Sequence, residues 1–169
     1  MEVLLVALAV AASAVVALVL GRAVRRRLWF VIKVESASMA PTLMPGQRLA
    51  TRRQGKARPV HRGDIVVVNS AELGGPIIKR AVGLAGDRVV VGADGRVQVD
   101  GRDLDERYVT HRGGSARTFD VPAGHLLLLG DNRAASSDAR SWREPYLPES
   151  AVIGRVVRRD RGAAGGSEP

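Results

Sequence analysis

Two kinds of hydrophobic pattern divide the chain. Residues 3–20 read VLLVALAVAASAVVALVL, an apolar run in which Ser13 is the only polar side chain. At the rise of an α-helix this run spans about 27 Å, the depth of a bilayer core. It is apolar on every face and lacks the single stripe of a soluble surface helix, so it predicts a transmembrane helix, with a buried soluble helix as the alternative. A cleaved signal peptide is a second alternative, since Ala12-Ser13-Ala14 has a small-x-small pattern. Met1-Glu2 supplies no basic start, however, and the run is long for a signal-peptide core. The expectation is an uncleaved anchor over residues 1–24.

Beyond residue 24 the period shortens. Leu28–Val34, Arg48–Thr51, Asp64–Asn69, Pro76–Val82, Arg88–Val91, Arg117–Val121, Leu126–Leu129 and Ala151–Val157 are short runs, most of them rich in Val, Ile or Leu, separated by Gly, Pro, Asp and Asn clusters. This is the pattern of strands. Val89 to Val99 reads as a hairpin, with Asp94-Gly95 as its turn. No sustained helical period follows residue 24. The prediction is a mainly β domain of short antiparallel strands over residues 25–160, large enough for one core. Arg52–Arg62 reads as a basic loop, Ser70–Gly75 and Thr110–Ala116 as polar loops, and residues 161–169 as a disordered polar tail.

Composition narrows the chemistry. Aromatics are 4% of the 169 residues, so the core rests on Val, Leu, Ile and Ala. There is no Cys, which removes disulfides, thiol nucleophiles and Cys-based metal sites. Three scattered His argue against a transition-metal site, and no metal or cofactor is expected. The net charge of +9 invites a nucleic-acid reading, but its placement points elsewhere. Residues 22–62 hold eleven basic side chains against one acid, Glu35, while the rest of the chain is nearly balanced. The surplus hugs the apolar run and lacks interleaved aromatics, so the expected partner is membrane lipid and not nucleic acid.

Three segments carry candidate chemistry: Ser36-Ala37-Ser38-Met39-Ala40-Pro41-Thr42-Leu43, Lys79-Arg80-Ala81-Val82-Gly83-Leu84-Ala85-Gly86-Asp87, and Gly130-Asp131-Asn132-Arg133-Ala134-Ala135-Ser136-Ser137-Asp138-Ala139-Arg140. A serine hydroxyl needs a base to become a nucleophile. No His has a convincing partner, but a desolvated Lys can serve. Only three Lys occur in a chain that otherwise uses Arg, and Arg cannot release its proton. Lys33 and Lys56 stand in basic surroundings, whereas Lys79 stands among Ile77, Ile78, Ala81 and Val82. Taken singly, each segment has an ordinary explanation: turn serines before Pro41, a snorkelling strand Lys, and a polar loop with a local ion pair.

Together and in this order the segments resemble the bacterial type I signal peptidases, Ser/Lys proteases that remove signal peptides. The resemblance covers about Ser36 to Val157, includes the Gly63-Asp64-Ile65-Val66-Val67 strand, and finds an anchor in the expected place. It implies Ser38 as nucleophile and Lys79 as general base. Ser36 and the Ser38 amide would form the oxyanion hole. Ser136, or less well Ser137, would orient the lysine. Met39, Arg80, Asp131 and the Asp138–Arg140 ion pair would be structural residues near the site. The implied substrates are preprotein signal peptides with small residues at −3 and −1, presented extended to a strand edge. The chain departs from the usual pattern at Ala134-Ala135, Ala139 and Ala85. A catalytically silent, membrane-anchored basic binding module of this fold, or a specialised pilin or conjugation-type Ser/Lys peptidase, are the alternatives. The family's catalytic domain is extracytoplasmic, which opposes the positive-inside rule applied to Arg22 and Arg25–Arg27. We follow the family, because orientation of a single anchor by charge is a bias.

Overall fold

The computed structural model describes residues 1–55 and 58–157, with backbone alone at residues 4, 5 and 7–9. The predicted tail, residues 158–160 of the β domain and Lys56 lie outside the described residues. Helix α1 spans Glu2–Leu28, four residues further than the expected anchor, and carries Arg25, Arg26 and Arg27 in its last turn. Cations there face the negative end of the helix dipole, which favours continuing the helix through them. Among the described residues no helix is long and apolar enough to cross a membrane.

Among the described residues eleven strands follow: β1 (Trp29–Lys33), β2 (Arg48–Arg53), β3 (Ile65–Ser70), β4 (Gly75–Gly83), β5 (Arg88–Val91), β6 (Val97–Val99), β7 (Arg102–Asp103), β8 (Arg117–Asp120), β9 (His125–Leu129), β10 (Tyr146–Pro148) and β11 (Val152–Val156). They form a seven-stranded sheet of order β1-β2-β11-β3-β4-β9-β10 and a four-stranded sheet of order β7-β6-β5-β8. Every pairing is antiparallel. The mainly β expectation holds. Strands β7 and β10 carry no run of β-branched residues and were not predicted. Asp94-Gly95 does turn the β5–β6 hairpin, with Gly95 at φ +77°.

Each face of the large sheet has its own core, as the alternation of side chains along β3 requires. Val66 and Val68 point into a cluster with Val82, Val89, Phe119, Leu127 and Leu129, closed by the small sheet. Ile65 and Val67 point the other way, onto Val34, Met39, Leu43 and Val156, with Phe30, Ile32 and Leu49 packed alongside. Gly154 is needed where β11 crosses this second core, since a Cβ there would come within 2.7 Å of the Phe30 ring and 2.9 Å of the Arg52 carbonyl. The second core fixes the segment that follows β1, and with it the site.

Candidate active site

Ser38 sits in a single 3-10 turn, Ala37–Met39, directly after β1. Met39 is 1% exposed in the second core and pins the turn from below. From the other side Asn132 clamps it: its backbone N–H donates to the Ser38 carbonyl (3.0 Å) and its Nδ2 to the Ala37 carbonyl (3.2 Å). Asn132 was not singled out from sequence, although it lies inside the third segment.

Lys79 enters from β4, where Val66 is its cross-strand partner. Ser38 and Lys79 are 41 residues apart in sequence, and the fold brings Lys79 Nζ to 2.8 Å from Ser38 Oγ, with both side chains buried. Burial lowers the Lys79 pKa from 10.5 to about 8, because an apolar site cannot solvate the ammonium. Asp138 and Asp131 oppose that shift electrostatically. Ser36 Oγ donates to Ser38 Oγ at 3.1 Å, so both serines of the first segment meet at one point.

Arg80, Asp131, Asp138 and Arg140 form buried ion pairs around this centre. Arg80 donates from Nε (2.8 Å) and Nη2 (2.6 Å) to the two oxygens of Asp131. Arg140 does the same to Asp138 (2.8 and 2.9 Å), and Asp138 Oδ2 also accepts from the Gly130 N–H (3.0 Å). Three further residues join this network. Tyr108 lies under the Arg80 guanidinium, 3.7 Å from ring centroid to Cζ, and its hydroxyl donates to Glu106 (2.9 Å). Glu106 pairs with Arg133, whose Nε donates to the Gly130 carbonyl (2.9 Å). Burial and the adjacent Glu106 carboxylate push the Tyr108 hydroxyl well above its ordinary range. Arg133 was readable only as a segment member. Glu106 and Tyr108 come from a distant loop and carried no sequence signal.

Ser136 is the residue expected to orient the lysine. Its Oγ is buried without a hydrogen-bond partner and makes no bond to Lys79. Ser137 Oγ accepts from Trp142 Nε1 (3.2 Å) and is thereby engaged elsewhere. Of the departures, Ala134 and Ala135 are exposed, while Ala139 is fully buried in the first core. Among the described residues, no group of three or more His, Cys, Asp or Glu could hold a metal ion.

A groove of about 630 Å³ opens beside the pair, lined on one bank by residues 31–36 and on the other by residues 73–79. β1 is one of the two edge strands of the large sheet. On β4 the pairing with β9 begins only at Arg80, which leaves Gly75 to Lys79 bonded to β3 alone. Both banks thus have free backbone edges, and the Ser38–Lys79 pair lies at one end of the groove.

The chain is 37% identical over 139 residues to a signal peptidase I of Leptolyngbya laminosa, covering 75% of this chain and 66% of that protein. It is 35% identical over 137 residues to a probable signal peptidase I-2 of Synechocystis, covering 75% and 60%. The chain therefore spans somewhat under two thirds of the length of these relatives. A crystal structure of a signal peptidase I from Enterococcus faecalis superimposes with a TM-score of 0.53 at 25% identity, over 59% of this chain and 98% of that one. Residues 7–159 match the family described as signal peptidase, peptidase S26. With fold and sequence in accord over most of its length, the chain belongs to the signal peptidase family, peptidase S26.

Proposed function

We propose that the chain is a membrane-anchored serine endopeptidase that removes N-terminal signal peptides from exported preproteins. The observation that carries this reading is the 2.8 Å contact between a buried, pKa-lowered lysine and a serine hydroxyl beside an open-edged groove. An extended substrate segment adds as a strand to the free edges of β1 and β4, and its small side chains fit the shallow apolar banks. Neutral Lys79 takes the Ser38 proton as Oγ attacks the scissile carbonyl. The Ser38 N–H and Ser36 hydroxyl hold the oxyanion, an interaction of about 3 kcal/mol per donor in comparable hydrolases. Lys79 then returns the proton to the leaving amine, and water cleaves the ester formed on Ser38. Ser136 Oγ, unpartnered at rest, is free to orient the lysine during these steps.

The apolar run of residues 3–20 anchors the chain, and the catalytic domain lies on the extracytoplasmic side. Its described side chains are well exposed, from Val6 (63%) to Leu20 (60%), as suits a lipid-facing helix. Only 17 residues separate Leu20 from Ser38, which keeps the site near the bilayer. The test is cleavage of a preprotein with an Ala-x-Ala site by the full chain in detergent. Wild type cuts it and Ser38→Ala does not; a fully active Ser38→Ala would overturn the assignment.

A further inference from the structure

We infer that Tyr108 is a positioning residue for cleavage: its ring holds Arg80 against Asp131 and shields the charges that surround the Lys79 amine. The inference rests on the Ser38–Lys79 reading above and adds to it a residue that does not line the groove.

Arg80 follows Lys79 on β4, and its hydrogen bonds lie in the plane of the guanidinium. Nε and Nη2 hold Asp131, and Nη1 donates to the Gly63 carbonyl (2.7 Å). The two flat faces carry no donors. Tyr108 covers one of them, 3.7 Å from ring centroid to Cζ, which is stacking contact. Arg80 is 5% exposed and Asp131 is fully buried, so the ring is part of what keeps water from the pair. The ring is itself fixed. The Val109 N–H donates to the Glu106 carbonyl (3.0 Å), closing the turn after β7 that carries both Glu106 and Tyr108. The Tyr108 hydroxyl donates to Glu106 (2.9 Å), and Glu106 pairs with Arg133 through both oxygens. Arg133 in turn donates to the carbonyls of Gly130 (2.9 Å) and Gly95 (3.1 Å). The contacts run Asp131–Arg80–Tyr108–Glu106–Arg133, and both ends return to the segment after β9. A tyrosine that only filled space would need neither the cation on its face nor the carboxylate on its hydroxyl.

Among the described residues, the charges that act on the Lys79 amine come from Asp131 and Asp138 in the segment after β9. Arg80, beside the lysine on β4, offsets the first, and Arg140 offsets the second. Ser38, bonded to the amine from the turn after β1, and Ser36 behind it are neutral. Glu106 and Arg133 cancel each other. The charge of the amine then depends on how dry the site is and on how fully Arg80 offsets Asp131. Removing the ring opens the Arg80 face to water. That weakens the hold of Arg80 on Asp131 and eases solvation of the nearby ammonium. Both changes favour the protonated lysine, so both move the acid limb of cleavage to higher pH. The phenol does not titrate in this range, because burial and the Glu106 carboxylate push it well above its ordinary value.

Two readouts on the full chain in detergent test this. One is kcat/KM for a preprotein with an Ala-x-Ala site between about pH 6 and 10. The other is the titration of the Lys79 amine, followed by NMR after isotope labelling of lysine Cε. The chain has three lysines, so Lys79→Met identifies the Lys79 signal. In wild type the limb and the amine should both titrate at about 8. Tyr108→Leu should raise both by about half a pH unit or more, a three-fold or greater loss of kcat/KM below the limb with recovery above it. Tyr108→Met, a flexible side chain that fills the space without an aromatic face, should do the same and guards against misfolding of the leucine variant. Tyr108→Phe keeps the ring and should keep both values at wild type. Cleavage that survives in Lys79→Met overturns the base reading and this inference together. If Lys79→Met is inactive and Tyr108→Leu loses rate with limb and amine unmoved, Tyr108 is scaffolding and this inference alone falls. A shift in Tyr108→Phe as large as that in Tyr108→Leu gives the role to the hydroxyl and likewise overturns it.

Discussion

Lys79 Nζ lies 2.8 Å from Ser38 Oγ, while the two acids that act on that amine, Asp131 and Asp138, are each held through both oxygens by an arginine. Arg80 and Arg140 thus offset the carboxylates that would otherwise keep the lysine protonated. The amine is left in an apolar site with a serine as its partner, which is the condition for a lysine to work as a base near neutral pH.

Cleavage should depend on the neutral amine. With the Lys79 pKa near 8, kcat/KM should rise with pH through about 8. Lys79→Arg should be inactive at every pH, since guanidinium does not give up its proton. A pH profile flat between 6 and 10 would remove Lys79 from the base role.

Burying this lysine costs stability, and the sign follows from linkage. The folded pKa, about 8, lies below the ordinary 10.5, so between these values the unfolded chain holds a proton that the folded chain lacks. Stability therefore rises with pH across that window. Lys79→Met should be more stable than wild type below pH 8. The gap should narrow by up to about 3 kcal/mol between pH 8 and 10.5. Chemical denaturation of the two proteins at pH 7 and pH 10.5 measures it.

Arg80→Gln should move the acid limb of the cleavage profile upward, because Asp131 is then unpaired and raises the lysine pKa. Removing one partner of a buried pair should also destabilise the fold by about 3–5 kcal/mol. Arg140→Gln should shift the limb in the same direction through Asp138. A loss of rate with an unmoved limb would make these arginines scaffolding only.

Gly130→Ala tests the seam between Ser38 and the loop after β9. A Cβ there would meet Ser136 Oγ at 2.1 Å and the Ser38 carbonyl at 2.5 Å. The carbonyl is backbone and is already bonded to Asn132, so Ser38 must shift. We expect at least a 100-fold fall in kcat, read from peptide cleavage by the full chain.

Ser136→Ala separates two roles for one hydroxyl. A buried, unpartnered hydroxyl costs about 1 kcal/mol or more, so the variant's Tm should equal or exceed that of wild type. The lysine-orienting role predicts a kcat lower by ten-fold or more at unchanged KM. A fall in Tm would show that Ser136 is structural.

Much of this was legible along the chain because it depends on local rules. Alternating or continuous Val, Ile and Leu runs marked β1, β3 to β6, β9 and β11, since a half- or fully buried strand writes its burial into its sequence, while β2 and β8 were marked by the turn residues around them. β7 and β10 escaped because they are two and three residues long and are specified by their neighbours' edges. The helix ran through Arg25–Arg27 to Leu28 because cations suit a helix C-terminus, a point the change of hydrophobic period did not register. Ser36, Ser38, Lys79, Asp131, Asp138 and Arg140 could be named because the three segments resemble a known family, and Lys79 also because an apolar context can tune a Lys as it cannot tune an Arg. What tertiary structure alone decided is who meets whom. Lys79 reaches Ser38 through sheet register, Glu106 and Tyr108 arrive from another loop to brace Arg133 and Arg80, and Ser136 stays unpaired. These are long-range contacts whose energy depends on burial and geometry, and neither quantity exists until the two sheets have closed on each other.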